Sequence, residues 1–128
     1  MTVKADIVET GFKFSALHEV TDIHYSGGRL TINVKSLDGS LMVTATFPEV
    51  AGFRVLDEGD LLEFWQGFSS KEDWIFRVIE GGWFEQEGQR SGFIRRDVKA
   101  ISEFMITGVD DCVSVLAWAA PEVSGRAV

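Results

Sequence analysis

The side chains best suited to chemistry in this chain are two histidines, one cysteine and a crowd of carboxylates. His18 and His24 are six residues apart on one strand parity. At about 3.3 Å per residue they lie about 20 Å apart and cannot share a metal ion. Each reads as a solvated histidine on an exposed strand face. Cys112 would need a nearby histidine and an electropositive setting to act as a nucleophile, yet Asp110 and Asp111 precede it and push its pKa up. Flanked by Val113, Val115 and Leu116, it reads as a buried thiol that packs as a small hydrophobe. The pairs Gly27-Gly28 and Gly81-Gly82 match neither the dinucleotide fingerprint nor the phosphate-cradling loop, and read as turns.

Carboxylates concentrate between Asp57 and Glu87, where Asp57, Glu58, Asp60, Glu63, Glu72, Asp73, Glu80, Glu85 and Glu87 face only Lys71 and Arg77. A glycosidase-type acid and base would need two of them across a cleft, and nothing in the spacing places a pair so. The expectation is a protein that binds rather than transforms, with no catalytic residue, no metal ligand and no cofactor. The same stretch interleaves the acids with Trp65, Phe68, Trp74, Trp83 and Phe84, the mixture of charge and aromatic anchors that protein interfaces use. Strand alternation would equally turn the aromatics inward and leave the acids to solvate an outer face. The partner-binding set is Asp57, Glu58, Asp60, Glu63, Glu72 and Asp73 for charge, with Trp65 and Trp83 as anchors.

The elements that position these groups are mostly strands. From Ala16 to Tyr25 the period of two is imperfect. Arg29 to Leu37 alternates cleanly, with Leu30, Ile32 and Val34 opposed to Thr31, Asn33 and Lys35. Asp38-Gly39 is a hairpin signal, and Leu41, Val43, Ala45 and Phe47 then share one face. Pro48 ends that strand, and Phe53 to Leu56 is a short β segment. Between Asp57 and Phe68 a capping aspartate, early acids and the spacing of Leu61, Leu62, Trp65 and Phe68 predict a short helix weakened by Gly59. Trp74 to Ile79 is β, and Gly81-Gly82 turns into a hairpin strand at Trp83 to Glu87. Phe93 to Ala100 suits a strand or one helical turn. Ile101 to Thr107 and Cys112 to Trp118 form a final strand pair, the second apolar enough to be central. Residues 1–10 and 122–128 read as frayed.

Seven or eight short strands with one short helix make a mainly β protein, an antiparallel sandwich or open barrel, with an α+β layout second. At 128 residues and 45% hydrophobic content the chain suits one domain, 1–128, with a packed core. A net charge of −8 opposes binding to nucleic acid or to anionic membrane surfaces, both of which rest on clustered Lys and Arg. One cysteine closes no internal disulfide. The charged N-terminal stretch lacks a signal peptide's apolar segment, and no run approaches a membrane span, so cytoplasmic residence is the expectation.

Phe47-Pro-Glu-Val-Ala-Gly-Phe-Arg-Val-Leu-Asp-Glu-Gly-Asp-Leu-Leu-Glu-Phe-Trp65 and Phe104-Met-Ile-Thr-Gly-Val-Asp-Asp-Cys-Val-Ser-Val-Leu-Ala117 followed by Pro121-Glu122 resemble small bacterial immunity-type proteins of polymorphic or contact-dependent toxin systems. The resemblance covers about a third of the chain. It implies a non-enzymatic cytoplasmic protein that binds a cognate toxin domain, often a basic nuclease, and blocks it. No binding residue carries over from it, because such families differ in the surface they use. Two other functions fit the composition: a β carrier with an aromatic-lined cavity for a small molecule, and a homo-oligomeric module that pairs exposed strand edges.

Overall fold

The structure, a computed structural model, describes residues 2–127. Nine strands occur among them: β1 (Lys4–Ile7), β2 (His18–Ser26), β3 (Arg29–Ser36), β4 (Leu41–Phe47), β5 (Val50–Asp57), β6 (Ile75–Glu80), β7 (Ser102–Ile106), β8 (Asp111–Ala117) and β9 (Glu122–Ala127). They form two antiparallel sheets, β2-β3-β4-β9 and β1-β6-β7-β8-β5.

Clean alternation builds the four-stranded sheet. Leu30, Ile32 and Val34 of β3 and Val43, Ala45 and Phe47 of β4 are fully buried on its inner face. Gly27 and Gly28 join β2 to β3 with φ of 56° and 89°, values that a two-residue hairpin loop demands and that side chains resist. In the β3–β4 turn, Asp38 accepts the Ser40 hydroxyl at 2.6 Å and the Ser40 backbone N–H at 3.0 Å. These bonds, the hydroxyl one foremost, hold its carboxyl down to about 2.

The imperfect period of β2 has a physical cause. Val20 pairs with Val34 and Asp22 with Asn33, leaving Thr21 as a bulge. One extra residue exchanges the faces, so His18, Val20 and Ile23 turn inward whereas Asp22 and His24 turn outward. The two histidines therefore do not share a face. His18 is buried, contrary to the solvated reading, and only His24 is exposed.

The five-stranded sheet is covered on both sides. Its inner face sends Ile75, Phe104, Ile106, Val113, Val115 and Ala117 against the first sheet, where Phe47 meets Phe104 at 5.5 Å between ring centroids. Its outer face sends Phe76, Val78, Met105 and Cys112 into a second cluster closed by Val3, Leu61, Phe64 and Phe68. Double burial is why β8 reads as an almost unbroken apolar run.

Several expectations change here. Residues 57–68 form no α-helix. They make a 3-10 turn, Glu58–Asp60, and further turns in which Phe64 N–H bonds Leu61 O and Gly67 N–H bonds Phe64 O. Leu61, Phe64 and Phe68 still point inward, and Leu62 is 68% exposed. Gly67 lies so close to β1 that an added Cβ would stand 2.2 Å from the Val3 carbonyl oxygen. The helix falls instead on α1 (Trp83–Gly88), where a hairpin strand was expected. Phe93 to Ala100 makes turns rather than a strand or a regular helix. Neither terminal segment is frayed as expected: β1 pairs with β6 and β9 with β4, Met1 and Val128 lying outside the described residues.

Candidate functional site

Antiparallel register decides which connectors meet. Asp57 at the end of β5 pairs with Asp111 at the start of β8, and Ile75 at the start of β6 pairs with Ile106 at the end of β7. The 58–74 connector and the 107–110 turn therefore emerge at the same end of the five-stranded sheet. Glu58 N–H bonds the Asp110 carbonyl at 2.8 Å, fixing the two connectors together. Asp57, Glu58, Asp60, Glu72, Asp110 and Asp111 are exposed here, with Asp73 half-buried and Lys71 the one cation of the two connectors. The two ion pairs among the described residues, Lys4 with Glu80 and Arg90 with Glu87, lie elsewhere.

Local hydrogen bonds make this end rigid. Asp57 caps the 3-10 turn by accepting Gly59 N–H at 2.8 Å. Trp65 donates its indole N–H to the Glu58 carbonyl at 2.7 Å and meets Phe68 edge-on at 5.6 Å. Asp73 accepts the Trp74 N–H at 2.7 Å, while its own carbonyl takes the Thr107 hydroxyl at 3.3 Å. Beneath the acids, burial pushes the Cys112 thiol up to about 11, and Glu58, Asp111 and Asp57 add to the effect. A thiol so placed stays protonated at neutral pH and serves packing.

His18 lies near the same end. Its Nε2 is 3.2 Å from the Thr107 hydroxyl and its ring stacks on Phe14 at 4.8 Å. Burial lowers its pKa below the ordinary 6.5, against smaller opposing effects from the Thr107 and Ala16 backbone and from Asp73. A lowered folded pKa means that below pH 6.5 the unfolded chain takes up a proton before the native one. The contribution of His18 is thus complete above 6.5 and lost as pH falls through the folded value. Chemical denaturation from pH 7.5 to 5 is expected to show a steeper loss of stability for the native sequence than for His18→Gln. Parallel curves would remove His18 as the source.

Glu63 and Trp83 of the expected set belong to a different cluster, on the outer face of the sheet. Glu103 of β7 is buried there, and its carboxylate accepts the N–H groups of Phe84 at 2.7 Å and Trp83 at 3.0 Å. Burial raises the Glu103 pKa above its ordinary 4.5, partly offset by those two bonds. The Arg54 guanidinium lies 5.1 Å from the Trp83 ring centroid, and the Trp83 indole N–H bonds Glu87 at 3.1 Å. Gln86 reaches Glu63 at 3.5 Å. Trp83 therefore fastens α1 to the sheet and Trp65 lies beside Glu58, each keeping a half-exposed face.

The structure brings Asp57, Glu58, Asp60, Glu72, Asp73 and Trp65 to one end, leaves Glu63 and Trp83 beside α1, and adds Asp110 and Asp111. Those two were read in sequence only as acids preceding Cys112, since sequence alone does not say which connectors meet. Glu103 had a signal: a single carboxylate inside the apolar run Ile101–Ile106. Among the described residues, no group of three or more His, Cys, Asp or Glu is arranged to hold a metal ion. None of their helices is long and apolar enough to cross a membrane. A groove of about 450 Å³ opens at the surface beside Arg77, Ser102 and Trp118.

An antiparallel two-sheet β protein with a carboxylate-rich end is thus the class that fold and site define. No family model, curated protein or solved structure matches the chain.

Proposed function

We propose that this chain is a non-enzymatic binding protein that presents its acidic end to a basic protein partner. The carrying observation is the convergence of Asp57, Glu58 and Asp60 with Asp110 and Asp111, all exposed, on connectors held by backbone and capping bonds. Fixed carboxylates that enter no ion pair among the described residues direct their field outward, which steers a basic partner and raises the association rate. Rigidity limits the ordering cost of binding. The immunity resemblance gives the partner a form, a basic toxin domain whose groove the acidic end would occlude.

The test is a toxin domain encoded beside this chain, co-expressed with it and then studied in vitro. Neutralisation and binding are expected, with association slowing steeply as salt rises. The triple variant Glu58→Lys, Asp60→Lys, Asp111→Lys should bind at least about tenfold more slowly and lose most of that salt dependence, with unfolding unchanged because all three side chains are exposed. Unaltered kinetics in a folded triple variant would exclude this end from the interface.

A further inference from the structure

Of the four strands at sheet edges, three are protected. β1 has four residues, and its pairing with β6 shifts register between Lys4 and Ala5. β2 carries the Thr21 bulge and gives the His18 carbonyl to Val109 N–H, and β5 shifts between Val50 and Gly52. Bulges and short edges are the usual means by which sheets avoid joining other sheets. β9 has none of these. Its six residues pair with β4 in unbroken register from Glu122↔Thr46 to Ala127↔Leu41, and among the described residues no hydrogen bond joins its outer edge to another segment.

We infer that the outer edge of β9 is a dimer interface, taken by β9 of a second copy in antiparallel register about Ser124. The charge pattern favours that occupant. Glu122 and Arg126 stand two residues either side of Ser124 on the outward face, both exposed and neither in an ion pair among the described residues. A two-fold axis at Ser124 sets each Glu122 opposite the other copy's Arg126, giving two cross-strand charge pairs from one strand. Ser124 meets Ser124, with no bulk at the centre. On the inner face Val123 falls opposite Gly125, whose Cβ position is filled by the Phe12 ring of its own copy, so the pairing adds an apolar contact. The two four-stranded sheets become one of eight, and the acidic ends remain unoccupied.

Sedimentation velocity over micromolar to millimolar concentrations tests this inference. The native sequence should shift from monomer to dimer, and amides of 122–127 should gain protection from hydrogen exchange as concentration rises. Arg126→Glu turns both charge pairs repulsive and should weaken dimerisation at least about tenfold. The swap Glu122→Arg with Arg126→Glu restores both pairs and should restore the dimer. A monomer throughout, a dimer indifferent to Arg126→Glu, or a swap that rescues nothing would each overturn the inference. Protection at 122–127 in the native protein is read independently of either variant's folding.

Discussion

Trp74→Ala is expected to cost about 3–5 kcal/mol of folding stability, the range for removing a buried indole. Trp74 precedes β6 and is fully buried in the cluster between the sheets, edge-on to Phe14 at 6.2 Å. Its indole N–H also donates to the Phe12 carbonyl at 3.1 Å, so truncation opens a cavity and leaves that carbonyl to the Thr10 hydroxyl. The same bond helps seat the 8–17 segment, whose Val8 N–H bonds the Ile75 carbonyl and whose Val8, Phe12 and Phe14 pack against the core. Against a typical total of 5–15 kcal/mol, the loss should lower Tm by roughly 10–20 °C. Trp74→Phe retains much of the apolar area and should cost less. Thermal unfolding of the two variants checks this, and an Ala variant within about 1 kcal/mol of the native protein would show that Trp74 does not hold the sheets together.

Glu103→Ala should be the second large loss, about 2 kcal/mol or more. Truncation leaves the N–H groups of Trp83 and Phe84 without the carboxylate that caps α1, and removes one of the three carboxylates, with Glu63 and Glu87, whose charge favours the Arg54 cation. The sign of its pH dependence is opposite to that of His18. A folded pKa above 4.5 means that the native state holds the proton more tightly, so this contribution is complete below 4.5 and declines as pH rises through the folded value. Glu103→Gln keeps an acceptor oxygen and removes the titration. It should be milder than Ala and should flatten the pH profile between 4.5 and neutrality. Hydrogen exchange at residues 83–88 identifies the mechanism: protection there should collapse in the Ala variant and persist in the core strands. Uniform loss would mean that α1 is not held by this carboxylate in particular.

The parts of the fold legible in sequence were those decided by local rules. Leu30, Ile32, Val34, Val43, Ala45 and Phe47 declared their face by alternation, and Gly27-Gly28 and Asp38-Gly39 declared the turns. Where two influences competed, sequence misled. Leu61, Phe64 and Phe68 have helical spacing, yet Gly59, Gly67 and the close passage of β1 leave room only for turns. The Thr21 bulge inverted the expected relation of His18 to His24, because a bulge is set by the partner strand. β9 looked like a polar tail since an edge strand has little to bury; only its ladder with β4 gives it order. The acidic set was regrouped in space for the same reason. Charge was visible along the chain, but bringing Asp110 and Asp111 beside Glu58 and moving Glu63 away is the work of register.

The 58–74 connector divides its labour residue by residue: Leu61, Phe64 and Phe68 are sunk in the outer cluster, while the side chains of Glu58, Asp60 and Glu72 are exposed. Selection can therefore rewrite the outward letters of this segment, even to the opposite sign, without disturbing the inward ones. If the acidic end is the interface proposed above, a lineage built on this scaffold could track a changing partner by surface substitution alone.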